Sequence, residues 1–243
     1  MIEKQLFGLI GKNISYSFSK KYFTDKFKKL HLQNKIYEIF DLNDISEVED
    51  FFLNPEIKGL NVTIPFKEKV IPFLDELSDE AKEIGAVNCI AIKNGTKTGH
   101  NTDAFGFEKT LLLHLKDFHK NALILGNGGA AKAVKYILKK HNIPFKTVAR
   151  NTDLNFENLT ADEVVNSNLI IQCTPVGTFP NESDCLKFPF NSLTEKHLVI
   201  DLIYNPTYTQ FLKNAAEFNA KTLNGYYMLE QQAEKAWEIW NSK

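Results

Sequence analysis

The feature that most limits the fold is a glycine-rich turn in the middle of the chain. Ala122 to Leu125 reads as a short buried strand, and the stretch to about Lys140 reads as a helix. Between them lies Gly126-Asn-Gly128-Gly129-Ala130-Ala131. Gly126 permits a tight turn, Gly128 lets a ligand approach the backbone, and Ala131 leaves room for the helix to pack closely on the strand. The free N–H groups at the helix start favour an anion. Gly126, Asn127, Gly128, Gly129 and Ala130 are therefore expected to hold the pyrophosphate of a dinucleotide. The next strand, Phe145 to Ala149, ends at Arg150, where a chain that binds NAD carries Asp or Glu for the ribose hydroxyls. A cation there points to a 2′-phosphate, hence to NADP. No further Lys or Arg follows until Lys187, and Asp153 lies close by, so the expected preference for NADP over NAD is moderate.

The chain on either side extends this unit into two domains. With 243 residues it is long enough for one large or two unequal cores. In the first half, strands are expected at Gln5 to Ile10, Lys35 to Phe40 and Gly59 to Ile64, with helices from Lys20 to Leu30 and from Asp44 to Phe52. A helix interrupted by Pro72 is expected over Phe66 to Leu77. Asn94-Gly95 between Val87 to Ile92 and Lys97 to Gly99 signals a hairpin, because both residues tolerate positive φ. After a helix over Ala104 to Leu115 and the dinucleotide unit, strands are expected at Asn168 to Cys173, Leu198 to Leu202 and Lys221 to Leu223, then a helix over Tyr226 to Trp240. The fold class is α/β. A mixed, mainly parallel substrate domain (1–103, with 225–243 returning to it) precedes a Rossmann-type dinucleotide domain (104–224), and the final helix packs back on the first.

Composition narrows the function. Twenty-nine basic residues against 30 acidic ones, without a basic block, give no reason to expect nucleic acid or a membrane surface as partner. A small molecule held in the cleft between the domains fits better. The three cysteines form no CxxC pair and lack a nearby histidine at ligand spacing, which argues against a disulfide framework or a zinc site and for a reducing cytoplasm. No apolar run suits a signal peptide or a membrane span.

Two polar stretches are hard to explain by packing. Asn61-Val-Thr63-Ile-Pro65-Phe-Lys67 surrounds the end of a strand, the edge where parallel sheets bind ligands. Asn101-Thr-Asp103 lies where the hairpin gives way to the linking helix, with Asn88 nearby in the series. Oxidising an alcohol requires removal of its hydroxyl proton as hydride leaves the same carbon, so Lys67 is the candidate acid/base. Asp103 would orient the hydroxyl and fix the ammonium. Ser17 and Ser19 alternate on the turn after the first strand and suit a substrate carboxylate; helix capping by Ser19 is the competing explanation. His100 lies beside this site and reads as a structural or supporting residue. Phe105, Phe107, Phe188 and Phe190 read as core.

Together with Gly85-Ala-Val-Asn88, Thr174-Pro-Val-Gly177, Asp201-Leu-Ile-Tyr204 and Met228-Leu-Glu-Gln-Gln232, these segments follow one another as they do in shikimate dehydrogenases, and the chain resembles that family from end to end. The resemblance implies reversible NADPH-dependent reduction of 3-dehydroshikimate to shikimate, on the route to aromatic amino acids, by a monomer or homodimer. It implies Ser17 and Ser19 as carboxylate ligands, and Thr63, Asn88 and Gln232 as ligands of the ring hydroxyls. Tyr204 would be a substrate contact, Thr174 a cofactor contact, and Lys67 with Asp103 the catalytic pair. The chain departs from the family pattern at Tyr16, Lys20, Ala149 and Tyr227. The alternatives are a quinate/shikimate dehydrogenase that also uses NAD, and a sensory protein that binds shikimate without catalysis.

Overall fold

The computed structural model describes residues 3–14 and 17–242; Tyr16 of the serine turn lies outside them. In chain order the elements are β1 (Gln5–Gly11), α1 (Phe18–Lys29), β2 (Lys35–Asp41), α2 (Val48–Phe52), β3 (Ile57–Val62), β4 (Glu76–Leu77), α3 (Asp79–Ile84), β5 (Cys89–Lys93), β6 (Thr96–His100) and α4 (Thr102–Leu112). There follow β7 (Ala122–Leu125), α5 (Gly129–Lys140), β8 (Phe145–Val148), α6 (Ala161–Val165), β9 (Leu169–Gln172), β10 (Leu198–Asp201), α7 (Gln210–Glu217), β11 (Lys221–Leu223) and α8 (Tyr226–Asn241). The chain divides into two compact units, Met1–Thr102 with Ala233–Lys243, and Asp103–Gln232.

In the first unit the strand order is β2-β1-β3-β5-β6-β4. β1 runs parallel to β2 and β3, whereas β5 is antiparallel to both β3 and β6. The reversal is made at Asn94-Gly95, whose φ values of 51° and 83° suit a tight hairpin turn. Strand alternation sends Phe7, Leu9, Tyr37 and Ala91 to one face, under Phe23 and Phe27 of α1 and Ala233, Ala236 and Trp240 of α8. Ile10, Leu60 and Val62 face the other way, toward Val48, Phe66 and Val70.

The segment expected as a helix over Phe66 to Leu77 is instead a run of turns, a single 3₁₀ turn over Ile71–Phe73, and the short strand β4. Pro72 sits inside that 3₁₀ turn, where its lack of an N–H is harmless. Glu76 and Leu77 gain the edge of β6 as a partner, which a helix would forfeit. The expectation also missed α3, although its ends are marked in the sequence. Ser78 accepts from the Ala81 N–H at 3.2 Å, and Gly85 closes the helix in the left-handed region at φ 69°. The segment expected as a helix from Asp44 begins as a 3₁₀ turn, with Asp44 and Glu47 forming a reciprocal capping box before α2. The short helices α6 and α7 were likewise not anticipated.

The second unit holds a parallel sheet in the order β11-β10-β9-β7-β8. The chain leaves β7 toward β8 and then returns to β9 on the other side, so strand order reverses beside the C-terminal end of β7. Open parallel sheets bind their ligands at such a reversal. β7, β9 and β10 are fully buried.

The end of α8 is anchored in the first unit by a slot that only glycine provides. A Cβ at Gly59 would lie 2.3 Å from Trp240 Nε1, which donates to the Ile90 carbonyl at 3.0 Å. The indole also meets Phe7 and Phe23, at ring separations of 4.9 and 5.2 Å. Trp240→Ala is expected to destabilise the chain by about 3–5 kcal/mol, the usual cost of emptying a buried aromatic site. Gly59→Ala, which overfills the slot, is expected to cost about 1–3 kcal/mol. Urea unfolding followed by far-UV circular dichroism measures both; an unchanged midpoint for Trp240→Ala would show that α8 is not held by this residue.

Candidate functional site

In the first unit the expected residues gather at the C-terminal ends of β1 and β3. Ser17 caps α1, its Oγ accepting the Ser19 N–H at 3.2 Å, so the capping role belongs to Ser17 and not to Ser19. Ser19 is buried. Thr63 continues from β3, donating its N–H to the Ile10 carbonyl at 2.9 Å. Its methyl group occupies the space that a Cβ at Gly11 would need, at 2.5 Å. The following Ile64–Pro65 bond is cis, and the turn closes with the Phe66 N–H on the Thr63 carbonyl at 2.9 Å. Lys67 comes next, and its carbonyl accepts the Val87 N–H at 2.7 Å. That bond ties the lysine turn to the segment that carries Asn88.

Asn88 is 3% exposed. Its Oδ1 accepts the Thr102 N–H at 2.6 Å, and its Nδ2 donates to Thr102 Oγ1 at 3.0 Å. Asn101 Nδ2 in turn donates to the Ala86 carbonyl at 2.9 Å. These amides fix the end of β6 and the residue that precedes Asp103 in the chain. The His100 pKa is held below its ordinary value by burial and then by the Lys93 and Lys235 ammonium groups, so this ring is neutral at pH 7.

In the second unit Asp103 is a buried acid in the first turn of α4, where the helix dipole favours a carboxylate. One turn on, a Cβ at Gly106 would lie 2.5 Å from the Met228 carbonyl and 3.2 Å from Gln232 Cβ, so α4 and α8 cross closely there. Gln232 Nε2 donates to the Leu229 carbonyl at 3.0 Å.

The glycine turn has the geometry expected of an anion cradle. Gly126 has φ 115°, and a Cβ on it would meet Thr174 Cγ2 at 3.0 Å and the Cys173 carbonyl carbon at 3.2 Å. Thr174 therefore faces the turn across the strand reversal. Gly128 is the N-cap of α5, and a Cβ there would meet nothing within 4 Å, which leaves the backbone approachable. Ala131 is fully buried on the inner face of α5. Gly129 and Ala130 supply the first helical N–H groups. These residues fit a dinucleotide pyrophosphate.

One residue near the turn escaped the sequence reading. Lys135 Nζ donates to Asn127 Oδ1 at 2.5 Å, which brings a cation against the loop from the side of α5. Burial lowers its pKa. The signal was available, since a helical lysine projects toward the N-terminus of its own helix. Arg150 is exposed on the turn after β8, which Thr152 closes by accepting the Ala149 N–H at 3.0 Å.

Tyr204 stands on the loop after β10, and a buried carboxylate organises that loop. Asp201 accepts the Ile203 N–H at 3.0 Å and the Thr209 hydroxyl at 2.7 Å. Burial raises its pKa to about 6, against the lowering effect of those two bonds. Burial also pushes up the thiols of Cys89 and Cys173, so neither is a thiolate nucleophile at neutral pH. All three cysteines are free. Among the described residues no group of His, Cys, Asp and Glu gathers as a metal site, and no helix is long and apolar enough to cross a membrane.

A parallel sheet with a glycine turn at its reversal point, joined to a second α/β unit rich in buried amides, defines a two-unit dinucleotide-binding enzyme. A family model described as the shikimate dehydrogenase substrate binding domain matches residues 9–90. The NADP(+) shikimate dehydrogenase of Clostridium beijerinckii is 38% identical, over 97% of this chain and 92% of its own. That of Desulforamulus reducens is 36% identical, over 97% and 89%. The Thermus thermophilus shikimate 5-dehydrogenase, solved with NADP(H) and shikimate, superimposes with a TM-score of 0.86 at 27% identity, over 98% of this chain and 93% of that one. The chain belongs to the shikimate dehydrogenase family.

Asp201 gives this unit a pH dependence of definite sign. A carboxyl whose pKa is higher in the folded state binds its proton more tightly there, so its contribution is full below the unfolded value of about 3.9 and is lost as pH rises through about 6. Asn at this position cannot titrate. The unfolding free energy of the wild type relative to Asp201→Asn should fall by about 2–3 kcal/mol between pH 4 and pH 7. Urea titrations at the two pH values measure it, and a constant difference would show that Asp201 is already ionised at the lower pH.

Proposed function

We propose that Lys67 is the acid/base of this enzyme, with Asp103 holding its ammonium and orienting the reacting hydroxyl. The chain catalyses the reversible NADPH-dependent reduction of 3-dehydroshikimate to shikimate. The similarity to curated enzymes of that activity, over nearly the whole of both chains, carries this reading. The glycine turn on a parallel sheet agrees with it.

Gly126, Asn127, Gly128, Gly129 and Ala130 would hold the pyrophosphate of NADP, with Thr174 as a further cofactor contact, and Arg150 would read the 2′-phosphate. NADPH supplies the hydride that converts the substrate's carbonyl carbon to an alcohol carbon. Lys67 delivers a proton to the carbonyl oxygen as its charge develops, and in the reverse direction takes that proton from the hydroxyl. Ser17 and Ser19 hold the substrate carboxylate, while Thr63, Asn88, Tyr204 and Gln232 hold the rest of the molecule. With Asn88 already fixed on Thr102, its amide is presented without rotational freedom, which lowers the entropy lost on binding. The first unit with the end of α8 is the substrate domain and the second the NADP domain. The enzyme acts in a reducing cytoplasm, as a monomer or homodimer.

The roles are separable by kinetics. Lys67→Ala is expected to lower kcat by roughly 10²–10⁴ while changing KM for shikimate much less. A kcat within a few-fold of wild type would remove Lys67 from the chemistry. Arg150→Ala is expected to cost NADP most of its advantage and leave NAD nearly untouched. One charge-assisted contact is worth about 1.5–3 kcal/mol, or roughly ten- to 150-fold in kcat/KM. Equal losses for both cofactors would assign Arg150 to the fold or to the adenine.

A further inference from the structure

We infer that Lys135 is a cofactor-binding residue, supplying a cation to the pyrophosphate of NADP and NAD alike. The inference rests on the reading that the glycine turn after β7 holds that pyrophosphate. Lys135 lies in the second turn of α5, four positions beyond the fully buried Ala131. A helical side chain leans toward the N-terminus of its own helix, and this one reaches the turn itself, where its Nζ donates to Asn127 Oδ1 at 2.5 Å.

The setting of this ammonium differs from that of other lysines in the second unit. Lys140 stands against Glu108, Lys146 against Glu163 and Lys187 against Glu157. Lys135 is half-buried, and among the described residues its charged neighbours on α5 are the cations Lys132 and Lys139. Its side-chain partner is a neutral amide. Burial, and after it those two cations, lowers its pKa, so the turn holds a partly dehydrated positive charge that no carboxylate compensates. An anion arriving there supplies the compensation.

An ammonium carries three N–H donors, and Asn127 takes one of them. The others can meet phosphate oxygens at the turn, beside the backbone N–H groups that open α5. Asn127 fixes the ammonium before the ligand comes, so less side-chain freedom is lost on binding. Position decides which phosphate is served. The 2′-phosphate belongs beyond β8, with Arg150, whereas β9 lies on the other side of β7. The hydrogen bond of Lys135 is to the turn between β7 and α5, and its charge acts on Cys173, the residue that follows β9. It therefore falls on the part that both cofactors share, and leaves the choice between them to Arg150.

The test measures equilibrium binding to the full chain by isothermal titration calorimetry. Lys135→Met keeps an unbranched stem and removes the charge. Kd is expected to rise about three- to tenfold for NADP and for NAD alike, less than for a fully buried charged bond because the ammonium keeps part of its water. Lys135→Arg, which keeps the charge, should bind both within about twofold of wild type. Unchanged Kd values in Lys135→Met, a loss confined to NADP, or equal losses in the Met and Arg variants each overturn the inference. Gly128→Val separates it from the reading beneath. A Cβ there meets no neighbour within 4 Å and φ is −86°, so the chain accepts valine while the ligand does not. Loss of both cofactors in Gly128→Val, with none in Lys135→Met, overturns the inference alone. An unchanged Kd in Gly128→Val overturns the pyrophosphate reading and the inference with it. Reductive methylation with ¹³C-formaldehyde gives a second readout on the wild type. The dimethyl-Lys135 signal, assigned by its absence from Lys135→Met, should titrate at higher pH with NADP or NAD bound than without, and an unmoved titration overturns the inference.

Discussion

The first unit turns on Asn88, a buried amide bonded on every side. Its carbonyl accepts the Val62 N–H at 2.9 Å and Asn61 Nδ2 at 3.3 Å, and its N–H donates to the His100 carbonyl at 3.1 Å. Its side chain holds Thr102 through both amide atoms. A polar group buried without partners costs roughly 1–3 kcal/mol, so none of these segments can shift without stranding several groups at once. The end of β3, the hairpin and the first residue of α4 are therefore set as a single arrangement. Thr63 and Lys67 leave β3 from this fixed point, and the Lys67 carbonyl is bonded to Val87, one residue before Asn88. The geometry of the lysine turn thus depends on an amide that is distant from it in sequence.

Glycine does the complementary work, by leaving space. At Gly59 the missing Cβ admits an indole, at Gly106 it admits the α8 backbone, and at Gly126 it admits Thr174. At Gly128 the space remains open on a helix N-cap, the condition for a ligand's charged atoms to reach backbone N–H groups. The first three positions resemble the fourth in sequence and differ in what fills the gap. A glycine therefore signals close approach, and only its surroundings tell whether the approaching group belongs to the chain or to a ligand.

That distinction sets what was legible in the sequence. The glycine turn, the Asn94-Gly95 hairpin and the strands of the second unit were readable, because each depends on residues within about ten positions of one another. The segment after Pro65 was misread, because its apolar residues match a helical spacing while β6 offers them an edge to pair with. Local periodicity carries no information about that edge. The sequence reading placed the capping role on Ser19, whereas Ser17 caps the helix, since the cap depends on where α1 begins. Tyr37 was invisible as a polar residue. In sequence it is one aromatic of a half-buried strand, and its partner Asn61 lies 24 positions away on a strand that is not its neighbour.

Both units solve one problem in different ways. A loop at the C-terminal end of a strand must find partners for its backbone, and in the first unit the segment after β3 is tied by neutral amides, hydroxyls and backbone groups. The second uses a carboxylate, Asp201, which holds Ile203 and Thr209 on either side of Tyr204. A charged acceptor makes stronger bonds than a neutral one, but burial raises its pKa toward neutrality. The amide network of Asn61 and Asn88 has no such dependence on pH. It follows that the Tyr204 loop is tied by a group that titrates near neutrality, whereas the segment that carries Thr63 and Lys67 is held by amides and backbone groups that do not titrate in the physiological range.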